Sequence, residues 1–167
     1  MFKIGEYVVH GRNGVCKIDD ITKLEISGAD KDKLYYVLVP MKSEQSKVFY
    51  PVDNNRVTMR SVISKDQAED IVNEIKSIEP LWINNERLRE AKYKEAISSC
   101  DCVEWIRIIK TLHMRNKERV QQGKKITYVD DRYLKEAKEN LYEEFSIALD
   151  IEKDNVEQYI TCLLYTS

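Results

Sequence analysis

Tyr7-Val8-Val9-His10-Gly11-Arg12-Asn13-Gly14-Val15-Cys16-Lys17-Ile18 reads as two extended segments about a tight turn. The first four residues are mostly aromatic or β-branched, the Gly-Arg-Asn-Gly centre tolerates positive φ, and the return segment alternates apolar with polar side chains. This is a β-hairpin. Working outward, Leu34-Tyr35-Tyr36-Val37-Leu38-Val39 and Val48-Phe49-Tyr50-Pro51-Val52 carry the same strand composition, and Ser27-Gly28-Ala29-Asp30 and Ser43-Glu44-Gln45-Ser46 supply turns. A last short strand is expected over 57–62. Five short strands in so little chain close most economically as a small barrel of the SH3 or Tudor type, which leaves little unprotected edge.

At Ser64 the hydrophobic period changes from two to that of a helix. Ser64-Lys65-Asp66-Gln67 is a capping-box signal, and Ala68, Ile71, Val72 and Ile75 then share one face until Pro80 ends or redirects the helix. A second helix is expected over 84–98. A third starts at Asp101 and buries Trp105, Ile106, Ile108, Ile109 and Leu112, closing at Gln121-Gln122-Gly123. Asp130 is the expected cap of a fourth helix whose stripe is Leu134, Ala137, Leu141, Phe145 and Leu149, and 154–160 adds a short fifth. The fold class is therefore α+β with two domains, an SH3/Tudor-like β-barrel followed by an antiparallel helix bundle. The expected divisions are 1–62 for the barrel, 63–81 for a helix and junction, and 82–161 for the helical domain.

With 43% hydrophobic and 34% charged residues among 167, the chain has the composition of a globular protein rather than a disordered one. No apolar run is long enough for a bilayer and no signal-peptide core follows Met1, so a cytoplasmic location is the default expectation. Cys16, Cys100, Cys102 and Cys162 are expected as reduced thiols, since a chain of this size needs no disulfide staples. Cys100-Asp101-Cys102 is spaced too closely for a usual zinc half-site, and His10 and His113 are the sole histidines, so these cysteines read as small residues packing at a helix start and no metal or cofactor is expected. Residues 162–167 back-translate to the end sequence of a transposon adapter used in sequencing libraries. They are set aside from the fold as an expected assembly scar.

The net charge of −2 conceals segregation. Residues 82–128 carry 11 basic and 6 acidic groups, whereas 129–167 carry 4 and 10. The basic segment opens at Trp82, directly after Glu79-Pro80-Leu81 and where strand-rich sequence has given way to helix. A large flat side chain beside Arg87, Arg89, Lys92 and Lys94 is a candidate DNA wedge with phosphate-binding neighbours. Two plainer readings stand beside it. A tryptophan at an interdomain joint is commonly a packing residue, and the charges alone fit a solvated helix face laced with ion pairs among Glu86, Arg87, Arg89 and Glu90. Trp105 lies on the periodic apolar face of the third helix and reads as core. Lys110, Arg115, Lys117 and Arg119 read as a solvated face, with a secondary phosphate contact as the lesser reading.

Several short elements together resemble the CarD/CdnL family of bacterial RNA polymerase-binding transcription regulators. They are Phe2-Lys3-Ile4-Gly5-Glu6-Tyr7-Val8-Val9, Gly14-Val15-Cys16-Lys17-Ile18, Tyr50-Pro51-Val52-Asp53-Asn54, Arg60-Ser61-Val62-Ile63-Ser64 and Ser99-Cys100-Asp101. Each is weak alone, and their order and spacing to about Ile160 make the joint match specific. Two departures stand out: a Pro-His pair common in the family's first turn is here Gly11-Arg12, and the family's helix-break glycine is here Cys100.

The resemblance implies a Tudor-like domain that docks on the β subunit of RNA polymerase and a helical domain that meets promoter DNA at the upstream edge of the transcription bubble, stabilising the open complex. It implies that Trp82 is the wedge, with Arg87, Arg89, Lys92 and Lys94 less firmly placed as its basic partners. For polymerase docking, an exposed barrel edge can add to a partner's sheet, which nominates Val37, Val39, Val48, Phe49 and Tyr50; of Phe49 and Tyr50, one faces the core and the other solvent or partner. A monomer is expected away from the polymerase. The competing reading is an SH3-like protein-interaction module without DNA contact, which requires a buried Trp82. An enzyme is not expected: the histidines are far apart, and there is no Ser-His-Asp arrangement, phosphate loop or base beside Cys100.

Overall fold

The computed structural model describes residues 1–54 and 56–165, with side chains as far as Cys162. Two compact units divide between Val62 and Ile63.

In the first unit, β1 (Tyr7–His10) and β2 (Gly14–Thr22) form the expected hairpin, with Val8 opposite Cys16 and Val9 opposite Val15. The turn between them is a single 3-10 turn, Gly11–Asn13. Gly11 has φ +44°, and a Cβ built there would stand 2.6 Å from Val57 Cγ1, so the position accepts only glycine without rearrangement. Three further strands follow: β3 (Tyr35–Pro40), β4 (Val48–Pro51) and β5 (Met59–Ser61). The sheet order is β4-β3-β2-β1-β5, every pairing antiparallel. Val8, Cys16, Ile18, Tyr36, Leu38 and Tyr50 form the buried face, and their even spacing along each strand follows from the two-residue period of a pleated strand.

The ladder ends at β4 and β5, and a side chain of β4 holds the segment that leads into β5. Tyr50 Oη lies 2.7 Å from Asn54 O and 2.9 Å from Val57 O, and accepts the Val57 N–H at 3.2 Å. This explains why β5 is shorter than the 57–62 expected from sequence. Val57 turns toward the tyrosine hydroxyl, and Thr58 gives its carbonyl to the Gly11 amide at 2.9 Å.

The second unit opens with α1 (Lys65–Glu74). Its capping box is complete, because Ser64 Oγ accepts from Gln67 N while Gln67 Oε1 accepts from Ser64 N. Then come α2 (Arg89–Ser98), α3 (Cys102–Gln121), α4 (Tyr128–Leu149) and α5 (Lys153–Tyr165). Asp101 caps α3 through the Val103 amide at 2.9 Å. Trp105, Ile106, Ile108, Ile109 and Leu112 are all fully buried, as the periodicity requires, and such side chains contribute about 1.5–3 kcal/mol each. Two pairs fix α3 and α4 as antiparallel: Cys102 Sγ donates to Glu144 Oε1 at 2.9 Å near one end, and Arg115 meets Asp130 near the other.

Four sequence expectations change here. The 84–98 helix is a 3-10 turn, Glu86–Leu88, leading into α2, because Asn85 Oδ1 caps the Arg87 amide. The cap of α4 is Thr127, whose Oγ1 accepts from Asp130 N at 3.1 Å. Asp130 sits inside the first turn instead, buried against Arg115 Nε at 2.7 Å and Tyr93 Oη at 3.1 Å. The fifth helix is longer than 154–160, beginning at Lys153 and continuing to Tyr165. It therefore runs into the stretch set aside as a scar, of which the side chains from 163 and the backbone from 166 lie outside the described residues. Lastly, Lys110, Arg115 and Arg119 are not a solvated face. Arg119 Nε donates to Lys125 O at 2.9 Å, Arg115 pairs with the buried Asp130, and Lys110 reaches main-chain carbonyls, while Lys117 stays exposed.

Candidate nucleic-acid interface

Residues 78–85 have no regular secondary structure, and Trp82 stands in the middle of them, 77% exposed between the half-buried Leu81 and Ile83. Such exposure of the largest side chain is costly to solubility and is unlike the packed tryptophan of a structural joint. The segment is nevertheless held firmly. Lys110 Nζ donates to the carbonyls of Ile75 and Ile78. Arg107 Nε donates to Glu79 O at 3.1 Å, and the Leu81 amide donates to Thr111 Oγ1 at 2.8 Å. Beyond the tryptophan, Glu86 takes a bond from Arg115 Nη1 at 2.9 Å. Arg107, Thr111 and Arg115 lie four residues apart, with Lys110 three after Arg107, and form one stripe of α3, so a single helix face receives the whole segment. Burial holds the Lys110 pKa below its ordinary value, as expected of an ammonium withdrawn from water to bind main chain.

The four basic residues nominated beside Trp82 fall into two groups. Arg87 is exposed and has no ion-pair partner among the described residues. Lys92 and Lys94 are exposed too, each 3.8 Å from a carboxylate on its own helix, Glu95 and Glu90 respectively. Pairs of that kind contribute little and exchange readily for a phosphate. Arg89 is different: its side chain is 15% exposed, and it donates to Glu86 at 3.2 Å and to Tyr93 Oη at 3.0 Å. It belongs to a chain of groups running through Glu86, Arg115, Asp130 and Tyr93. The Arg115 hydrogen bond, with help from Arg89, holds the Glu86 carboxyl below its usual pKa. Burial pushes the Tyr93 phenol up to about 12, keeping it a neutral donor to Asp130.

Sequence reasoning missed the anchoring role of Arg107, Lys110, Thr111 and Arg115. A signal was available: these residues recur at helical spacing opposite the apolar stripe of α3. Nothing in the sequence told main-chain acceptors from water as their partners.

In the first unit, the nominated docking residues divide by side-chain direction. Val37 and Tyr50 are buried, Val39 and Val48 half-buried, and Phe49 is 42% exposed. Val37 lies in β3, which is paired on both sides, and so offers a partner neither side chain nor main chain; the side chain of Tyr50 is buried too, while Phe49 offers its ring. β4 pairs with β3 alone, so its outer edge carries unpaired main-chain groups among the described residues. Among the described residues no cluster of three His, Cys, Asp or Glu could hold a metal ion, and no helix is long and apolar enough to cross a membrane.

Residues 2–63 match the family model for the CarD-like/TRCF RID domain, and residues 63–161 match that for the CarD C-terminal domain. The chain belongs to the CarD family. The meeting point of the two CarD matches at residue 63 coincides with the start of the helical unit. No curated protein matches the chain. Its CarD domains are those of a CarD-like, RNA polymerase-interacting transcription regulator. Cys100, which takes the place of a glycine in the resemblance drawn from sequence, adopts φ +57°, a conformation that glycine reaches without cost.

Proposed function

We propose that this protein docks through the outer edge of β4 on the β subunit of RNA polymerase and sets Trp82 against promoter DNA at the upstream edge of the transcription bubble. The open complex is stabilised because the junction can re-zip only by displacing the indole. Aromatic-base stacking contributes about 1–3 kcal/mol, enough to lengthen an open-complex lifetime tenfold. Arg87, Lys92 and Lys94 neutralise phosphates and hold the register, whereas Arg89 keeps Glu86 and Tyr93 in place behind them. The protein acts in the cytoplasm, at the nucleoid, and is a monomer when off the polymerase. Whether a given promoter is activated or repressed depends on its own kinetics, since over-stabilising a stable open complex slows escape.

The observation that carries this reading is the exposure of Trp82 on a segment tied to α3 on both sides, through the Leu81 amide before it and the Glu86 carboxylate after it. The competing module without DNA contact requires that side chain to be buried. The test is Trp82→Ala assayed on a promoter: polymerase β-subunit pull-down is expected to persist while open-complex lifetime falls about tenfold. An unchanged lifetime would overturn the wedge, and failure of the wild-type chain to retain the β subunit would overturn the docking.

A further inference from the structure

We infer that Thr111 is the positioning residue for Trp82, the single side chain that decides where the indole points. This rests on the wedge reading above and assigns a determinant within it.

The tethers on residues 75–86 are not equivalent. Those from Lys110 and Arg107 end on the carbonyls of Ile75, Ile78 and Glu79, all upstream of Pro80. They fix where the chain arrives and leave the rotation of the backbone after Pro80 undetermined. Leu81 is the last tethered residue before Trp82: its amide donates to the Thr111 hydroxyl at 2.8 Å, and its carbonyl lies 3.4 Å from the same oxygen. The next tie to α3 lies at Glu86, four residues past the tryptophan. Thr111 is therefore the hinge pin on the short side of the indole.

The hydroxyl is suited to that task. A threonine inside a helix ordinarily spends its proton on the carbonyl four residues back, and Thr111 does so, donating to Arg107 O at 2.7 Å. That bond orients a lone pair outward, where the Leu81 amide meets it. The residue is nine-tenths buried, so water cannot replace the acceptor and the Leu81 N–H would be left unsatisfied in its absence. Arg107 thus contributes at both levels, through its side chain to Glu79 and through its carbonyl to the threonine. Asn or Ser at this turn of α3 would keep an oxygen, whereas an isosteric Thr111→Val keeps the branched shape and loses both bonds.

The test uses the full chain labelled with 5-fluorotryptophan, which gives one fluorine resonance for exposed Trp82 and one for buried Trp105, assigned with Trp82→Phe. In Thr111→Val the Trp82 resonance is expected to narrow as the side chain gains motion, with Trp105 unmoved. Open-complex lifetime is expected to fall about fivefold, the scale of one lost buried hydrogen bond, with polymerase retention unchanged. Thr111→Ser is expected to restore both readouts. A Trp82 resonance of unaltered width in Thr111→Val would overturn the inference, as would a narrowed resonance with a normal lifetime when Trp82→Ala shortens it. If Trp82→Ala itself leaves the lifetime unchanged, the wedge reading fails while the fluorine linewidth still decides whether Thr111 positions the indole. Thr111→Ala, a good helix former without added bulk, carries the same comparison if valine disturbs the fold.

Discussion

Arg87 and Arg115 show how two arginines of one charge segment do opposite work. Arg87 stands in solvent, so Arg87→Ala is expected to weaken DNA engagement about equally across sequences and to lower the slope of log affinity against log salt by about 1, measured by titrating duplex DNA at several ionic strengths. A loss confined to particular bases would contradict a phosphate contact. Arg115 instead faces Asp130, whose side chain is 3% exposed. Arg115→Met leaves that carboxylate buried without its cation and is expected to cost about 3 kcal/mol in urea unfolding, recovered in part by a second change, Asp130→Asn. From sequence both were simply basic residues following Trp82. The identity of the tryptophan as a candidate was legible because composition, charge and order converged on it. The division of its neighbours was not, because whether an arginine meets water or a carboxylate depends on a residue some fifteen positions or more away in the chain.

At the scale of elements, strands and helices were legible wherever the apolar period was clear, as in the first hairpin, α1 and α3. The misjudged cap of α4 involves a side chain with distant partners. Asp130 has the right chemistry to cap α4, but Arg115 and Tyr93 claim its oxygens, and Thr127, one turn earlier, takes the cap. The far end of α4 carries a different cost. Asp150 terminates the helix with φ +53°, and its amide bonds Ile147 O at 3.3 Å while that of Ile151 bonds Ser146 O at 3.1 Å. This is the left-handed stop that glycine forms most readily, and Asp150 is exposed, so no packing is lost on its removal. Asp150→Gly is expected to raise stability by about 0.5–1 kcal/mol in thermal or urea unfolding. Cys100 shares the backbone conformation but is buried, with its thiol 3.7 Å from Ser98 O, so relief of strain there would be offset by lost packing.

Across the whole molecule the two units answer to different probes and different pH. Both tryptophans belong to the second unit, so indole fluorescence reports that unit alone. His10 belongs to the first, where burial lowers its pKa below 6.5 and its ring stacks edgewise on Tyr50 at 4.6 Å. Its Nδ1 lies 3.0 Å from Asn13 Nδ2, which can donate to it only while that nitrogen is unprotonated. Because the fold favours the neutral ring, the contribution of His10 is complete above about pH 6.5. It declines as pH falls through the lowered folded value, since the unfolded chain takes up the proton first. Residue-resolved unfolding of the first unit, followed by its amide resonances, is expected to show a falling midpoint over that window, with tryptophan fluorescence little affected. His10→Gln is expected to flatten the dependence, and a midpoint equally acid-sensitive in that variant would contradict the assignment.

The same unit displays an open sheet edge, and a sheet edge is ordinarily a hazard to the protein that bears it. β4 is four residues long, begins directly after Lys47 and ends on Pro51, which has no amide hydrogen to donate. A partner built to fit can still find those few main-chain groups and the Phe49 ring beside them. A second copy of the chain, or a fibril, meets a template too short and too charged at its start to extend. The brevity of β4 thus separates a tolerable stickiness from aggregation, and lengthening it, for instance by replacing Pro51 with a β-former, would trade solubility for reach.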